Sequence, residues 1–384
     1  MNKNIIPSLE KQFLSFWQVA NFVDCEKVLI RLINLNPSNA QYYNNLGCVF
    51  ASQNLLSKAV NSFLQAIKHD SKLVDAYINL GLAYQRNLSF SLALAQFKQA
   101  SMLSPNRADI RSKISTVYAN QSDSTNAIDE LKQAINLIKS YPKPRLNNLK
   151  PFVVDNAELA LNDLKDILES NSVPYFLLWG TLLGVVRDGE LIPHDKDLDV
   201  GLNWDVDRQK VFKVLLASNK FALLENTVSS PNTRWCIGIY HKETNVVVDL
   251  SFLKSKAKYS YCGIDKAGEL NKPILSKVPK FDISYMQWKG EKWPVPANAE
   301  RFLADVYGDG WHKPDPNFDT LVSNKCMLPE TKAARRYAGY ARLFERLAEK
   351  NWSKAKGYCI QLNNLKKERF LKELMLWIDN QQNM

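Results

Sequence analysis

The sequence predicts a multidomain chain: an all-α repeat solenoid, then an α+β domain, then a helical C-terminal segment. Three observations predict it. Small and apolar residues recur with a period of 34 through the first third, and the middle mixes helical periodicity with short alternating strands that carry spaced aspartates. Residues 331–384 show apolar stripes at helical spacing with no strand alternation. At 384 residues and 46% hydrophobic content, the chain has enough apolar surface for two cores.

The repeat comes first. Leu46-Gly47 returns as Leu80-Gly81, Tyr43 as Tyr77, Phe50 as Tyr84, Ala59 as Ala93, Phe63 as Phe97 and Ala66 as Ala100. A third copy keeps Ile114, Tyr118, Ala127, Leu131 and Ala134, and a worn first copy ends in Cys25, Leu29, Leu32 and Pro37. Small residues at 47, 59 and 66 allow two helices to approach closely, and the aromatics fill the space between neighbouring pairs. The pattern resembles the tetratricopeptide repeat, with copies at 39–72, 73–106 and about 107–140. That resemblance implies a right-handed solenoid over residues 1–140 whose concave groove binds a protein or peptide; the alternative is a scaffold that only orients the next domain. Prolines 142, 144 and 151 make 141–151 a linker.

Charge divides along the same lines. The formal net charge of +11 splits into +8 over residues 1–150, −4 over 151–330 and +7 over 331–384. Basic residues are not interleaved with a stacking series, which argues against nucleic acid as a partner. The six cysteines form no CxxC pair, and with four histidines there is no zinc-ligand spacing, so reduced thiols are expected. The first residues lack a continuous apolar core with a cleavage site, and no run of 18 apolar residues occurs, which gives a cytoplasmic expectation.

In the domain expected over 152–330, residues 155–170 have helical spacing and Tyr175–Trp179 reads as a short strand. A helix can start near Thr181, with Gly180 turning the backbone, and Asp188-Gly189 signals a turn. Asp197–Leu202 alternates as a strand, 205–218 is an amphipathic helix, and Arg234–Tyr240 and Val246–Leu253 pair across His241–Asn245. Side chains two apart on a strand share a face, so Asp197 and Asp199 project together, about 7 Å apart along it. Two such carboxylates near a core are costly unless a divalent cation or basic groups neutralise them, and Mg²⁺ suits an all-oxygen donor set. Asp249, in the apolar run Val-Val-Val-Asp-Leu, is the best third ligand. Asp195 shares the alternation but lies at the turn, as ligand or as a carboxylate behind the ligands.

A Gly-Thr step opening a helix, a D-x-D on the next strand and a third Asp on a later strand resemble the nucleotidyltransferase fold. The string WGTLLGVVR followed by IPHDKDLDVGL is similar to the LicD/fukutin family of that fold, and so is WPVPANAERFLADVYGDGWHKPDP at 293–316. The resemblance extends over roughly 155–320. It implies transfer of a phosphorylated alcohol (phosphocholine, ribitol phosphate or glycerol phosphate) from a CDP-activated donor to a glycan hydroxyl, as in modification of a lipopolysaccharide or capsule. Mg²⁺, or Mn²⁺, held by Asp197, Asp199 and Asp249 would then bridge the donor diphosphate, while Gly180 and Thr181 offer backbone N–H groups to a phosphate. Arg187 would clamp the same phosphates or stand on the surface before the turn, and Tyr307 and Trp311 would line the donor or acceptor pocket or pack the loop, with Lys313 and Arg301 as further phosphate contacts. Lys196 and His194 depart from the family pattern; a structural, neutral role is expected for His194.

The extension at 331–384 carries one stripe through Tyr337, Tyr340, Leu343, Phe344 and Leu347 and another from Phe370 to Ile378. Such stripes pack on their own domain or rest, with basic flanks, on an anionic membrane that carries a lipid-linked acceptor. Two other functions fit the same residues: transfer of a nucleoside monophosphate from a triphosphate, and an inactive repeat-based adaptor. Retention of three mutually repelling aspartates argues against the adaptor.

Overall fold

The computed structural model describes residues 5–140, 153–193, 195–224, 234–265 and 273–382; the expected linker and His194 lie outside the described residues. The chain divides into two units, Met1–Lys143 and Pro144–Met384.

The first unit is a solenoid of four helical hairpins: α1 (Ile5–Gln18) with α2 (Phe22–Leu35), α3 (Ala40–Ser52) with α4 (Leu56–His69), α5 (Val74–Arg86) with α6 (Phe90–Leu103), and α7 (Ala108–Asn120) with α8 (Ser124–Ser140). The repeat period governs backbone as well as side chains. Ala20, Asn54, Leu88 and Ser122, each 34 residues apart, all adopt left-handed φ between 53° and 62°. One residue further on, the N–H groups of Asn21, Leu55, Ser89 and Asp123 donate to the carbonyls of Phe16, Phe50, Tyr84 and Tyr118. This is the Schellman closure of a helix end, and it makes α1–α2 a full repeat in backbone terms despite its worn sequence. Inside each hairpin a Cβ on Gly47 would lie 2.4 Å from the Phe63 ring, and one on Gly81 2.6 Å from Phe97. The third copy resolves the same contact differently, placing Ser115 where the glycine was and the smaller Leu131 where the phenylalanine was, both buried.

The second unit is built on a seven-stranded sheet. Helix α9 (Val154–Ser170) leads to β1 (Phe176–Leu177), α10 (Trp179–Asp188), β2 (Asp197–Asn203), α11 (Arg208–Ala217), β3 (Phe221–Leu223), β4 (Cys236–His241), β5 (Val247–Lys256), β6 (Tyr259–Ile264) and β7 (Ile274–Pro279). The order is β1-β2-β5-β4-β3, with β6 joining β5 to β7, and among the described strands only β2 and β5 run parallel. A separate hairpin, β8 (Ile283–Trp288) and β9 (Glu291–Pro296), turns at Lys289-Gly290 and is followed by α12 (Ala299–Tyr307). Helix α11 starts later than 205 because Asp207 caps it, its side chain accepting from the Lys210 N–H.

Leu198, Val200 and Leu202 alternate into the core, where they meet Val248, Leu250, Leu164 and Leu168. Burial of that face fixes the strand register, and a one-residue slip would send the aspartates into the core. The last helices, α13 (Lys332–Ala348), α14 (Trp352–Leu365) and α15 (Arg369–Gln382), belong to the same compact unit. Their stripes are spent inside it: Tyr340, Leu343, Leu347, Leu371, Leu374 and Ile378 are all buried. No helix among the described residues is long and apolar enough to cross a membrane.

Candidate active site

The parallel pairing of β2 with β5 builds the site. Its register sets Asp199 beside Asp249, and Asp197 stands two residues earlier on the same face of β2. Asp195, just before the strand, turns its carboxylate into the same space. One carboxylate oxygen from each of Asp195, Asp197 and Asp199 lies within 4.8 Å of the others. The sequence assigned Asp197, Asp199 and Asp249 as the ligand set; among the described residues the group that converges within 4.8 Å has Asp195 in place of Asp249, with Asp249 adjoining from β5.

The N-terminus of α10 is stitched to β2 at Asp199. The Gly180 N–H donates to Asp199 Oδ2 at 2.9 Å, the Asp199 N–H donates to Thr181 Oγ1 at 2.7 Å, and the Leu178 N–H donates to the Asp199 carbonyl at 3.2 Å. Two sequence assignments are corrected here. The Gly180 N–H is already given to Asp199, so it is not free for a phosphate. Thr181 is buried and does not border the cavity into which the carboxylates open, so its N–H is not presented there, and its hydroxyl accepts from the β2 backbone. Gly180 matters for another reason: a Cβ there would sit 2.5 Å from Asp195 Oδ2 and 3.1 Å from Asp199 Oδ2. Its missing side chain is the space into which the two carboxylates converge.

The electrostatics record that convergence. Burial, followed by the charge of Asp197, pushes the Asp195 and Asp249 carboxyls up to about 6. Asp199 rises well above the ordinary carboxylate range, through burial first and then the charges of Asp197, Asp195 and Asp249, and burial raises Asp197 too. The Tyr307 hydroxyl is driven far up by burial and by Asp199 and Asp195, so it stays protonated beside the cluster.

The carboxylates open into a cavity of about 850 Å³. Gly180, Arg187, Tyr307 and Trp311 line it, so four of the five predicted substrate-binding residues border this space and Thr181 does not. Arg187 also engages its own neighbour: its Nε and Nη2 donate to Asp188 at 2.9 and 2.7 Å, which commits two of the five N–H donors of its fork. Tyr307 ends α12 and packs its ring 4.6 Å from Phe318. Arg301 is paired with Asp305 and does not line the cavity. Cys236, Ser251 and Cys262 line it beside Asp249 and were not foreseen; all six cysteines are free thiols. Also missed were Arg342 on α13 and Lys354 on α14, which no local pattern distinguishes from other surface cations.

Comparison with known proteins matches residues 172–298 to the LicD/FKTN/FKRP nucleotidyltransferase domain and residues 47–87 to the TPR repeat. The chain joins tetratricopeptide repeats to a LicD-family domain. The matched segment contains the four aspartates and Gly180 but ends before Tyr307 and Trp311. Ribitol-5-phosphate transferase FKTN of Mus musculus is 26% identical over 177 residues, 45% of this chain and 36% of that protein. The Homo sapiens protein of the same name is 24% identical over 157 residues, 40% of this chain and 32% of that protein. The chain thus spans about a third of the length of these LicD-family relatives. Anaphase-promoting complex subunit 3 of Schizosaccharomyces pombe is 25% identical over 156 residues, 40% of this chain and 24% of that protein. Among solved structures, MamA aligns with 36% of this chain and 81% of its own at 19% identity and a TM-score of 0.34.

Proposed function

We propose that the protein is a metal-dependent transferase that moves a phosphorylated alcohol from a CDP-alcohol onto a glycan hydroxyl. The observation that carries the reading is the register of β2 and β5, which sets Asp199 and Asp249 side by side with Asp197 and Asp195 in a LicD-family domain. An all-oxygen donor set whose carboxyls are pushed toward neutrality by burial first and by mutual repulsion second fits Mg²⁺ or Mn²⁺. Asp195, Asp197 and Asp199 would hold the ion, with Asp249 adjoining, and when bound it would neutralise charge on the donor diphosphate.

The chain's own residues supply the rest. Asp249, carried on β5 while Asp197 and Asp199 stand on β2, takes the proton of the acceptor hydroxyl. The acceptor oxygen forms a bond to the phosphorus bearing the alcohol while the bond to the CMP oxygen breaks. Tyr307, held protonated, donates a hydrogen bond to phosphate oxygen, and Trp311 supplies an apolar wall. The repeats dock a protein or peptide partner. With most of the C-terminal stripe residues buried inside the unit, attachment to an anionic membrane would draw mainly on the basic surface of this segment.

A thermal-shift panel with CDP-choline, CDP-ribitol, CDP-glycerol, CTP, UTP and ATP, each with and without Mg²⁺, tests the reading. A Mg²⁺-dependent rise with a CDP-alcohol is expected. A rise with triphosphates alone transfers the site to nucleotidyl transfer, and release of pyrophosphate in place of CMP would settle that. No response to any nucleotide removes the transferase reading and leaves the adaptor.

A further inference from the structure

The cavity has a second chemical face, made outside the segment that matches the LicD domain. Lys313 and Phe318 come from the loop after α12, Arg342 from α13 and Lys354 from α14, and all four line the same cavity as the aspartates. This wall is anchored. Asp319, whose side chain is 4% exposed, accepts from the Leu321 and Val322 N–H groups with Oδ1 and from the Tyr358 hydroxyl and Arg342 Nη1 with Oδ2. Asn317 is clamped from the other side: its carbonyl accepts from Gln361, and its amide lies so near α14 that a Cβ on Gly357 would strike it at 2.3 Å. These contacts tie the loop to both helices.

Arg342 is pinned through one nitrogen, with 39% of its side chain still exposed. Among the described residues, Lys313 and Lys354 form no ion pair. Asp315 also borders the cavity and holds the Asn317 N–H, so the wall remains net positive after its own carboxylates are counted. Cations and carboxylates that line one cavity give it two charge signs, which suits binding an anion away from the metal-binding end. A volume of about 850 Å³ is near the top of the range for ligand pockets and leaves room for a second substrate.

We infer that Lys313, Arg342 and Lys354 bind a phosphate group carried by the acceptor, so that the acceptor is a phosphorylated sugar and not a neutral glycan end. This rests on the transferase reading for what the other wall does. In that reading the donor's diphosphate is met at the carboxylates through a divalent ion, which leaves the cations of the helical wall to the acceptor and moves Lys313 from the donor phosphates, where the sequence suggested it, to the acceptor's phosphate.

The test separates the two walls by removing divalent ions. Full-length protein in EDTA is titrated with glucose 1-phosphate, glucose and CDP-choline, with binding followed by ligand-observed NMR. Glucose 1-phosphate should bind saturably where glucose does not, and Lys313→Ala/Lys354→Ala should weaken it at least fivefold while retaining the Mg²⁺-dependent response to a CDP-alcohol. Lys313→Glu/Lys354→Glu should abolish the binding. Absence of glucose 1-phosphate binding in EDTA, or equal binding by the double variants, overturns the inference. Loss of the Mg²⁺-dependent CDP-alcohol response in the alanine variant, or tighter binding of CDP-choline than of the sugar phosphate in EDTA, assigns the wall to the donor and overturns it as well. If no CDP-alcohol responds with Mg²⁺ but the sugar phosphate still binds through the lysines, the proposed reaction fails and the anion site stands.

Discussion

Replacing Asp249 by Asn should make the metal-free protein more stable, against the usual direction for a buried polar substitution. Asp249 is raised from 3.8 to about 6 by burial first and by the Asp197 charge second, with a hydrogen bond from Cys236 opposing. At ~1.4 kcal/mol per pKa unit, the ionised carboxylate costs the fold ~3 kcal/mol. Solvent in the open cavity screens part of this, leaving ~1–2 kcal/mol for the isosteric amide to recover. For a domain of this size that is a rise in Tm of roughly 2–8 °C. The sign follows from proton binding. Between pH 3.8 and about 6 the folded state holds the proton and the unfolded state does not, so stability falls as pH rises through that window. The gap between variant and parent should be full at pH 8, fall to about half near pH 5 and close near pH 4. Thermal unfolding followed by circular dichroism in EDTA at these three values measures it, and saturating Mg²⁺ at pH 8 should favour the parent. A variant no more stable than the parent at pH 8, or a gap that does not change with pH, would refute the account of the site as a set of frustrated carboxylates.

Other consequences can be checked separately. Gly180→Ala should leave the fold in place but displace the Asp195 and Asp199 carboxylates, which its Cβ would meet at 2.5 and 3.1 Å, and weaken Mn²⁺ binding measured by calorimetry at least tenfold. In the repeats, Gly47→Ala should cost ~1–3 kcal/mol in urea unfolding because its Cβ enters the Phe63 ring, and adding Phe63→Leu, the pairing used by Ser115 and Leu131, should return part of it. Leu88 holds a left-handed φ of 57° while 70% exposed, so Leu88→Asn, the residue at the equivalent Asn54, should stabilise the solenoid by ~1 kcal/mol in the same assay.

The parts of this molecule that could be read from sequence are those a local period reports. The 34-residue repeat predicted the hairpins because each hairpin meets the same packing demand at the same positions, down to the left-handed residue that closes it. Alternation placed Asp197 and Asp199 on one face, and three valines before Asp249 marked a carboxylate where a strand should bury an apolar side chain. Strands β6 to β9 went unread because their pattern is broken by polar edges, and the parallel register of β2 and β5 is a long-range fact with no local trace. Thr181 and Gly180 were assigned to a ligand because a helix N-terminus has N–H groups to spare, yet the nearest anion is the protein's own Asp199.

Asp195 shows where such reasoning stops. The alternation rule loses force at the end of a strand, so Asp195 looked less securely placed than Asp249, although it is the closer partner of Asp197 and Asp199. What admits it is an absence fifteen residues earlier, the missing Cβ of Gly180. The same limit hid Arg342 and Lys354. An apolar stripe tells which face of a helix is buried, and the stripe of α13 does so correctly through Tyr340, Leu343 and Leu347. It says nothing of what the neighbouring face looks across at. A residue that joins a site from a distant helix becomes visible only when the sheet, the loop and the helix have been brought around one cavity, so residues outside the matched 172–298 segment are where substrate specificity should be sought.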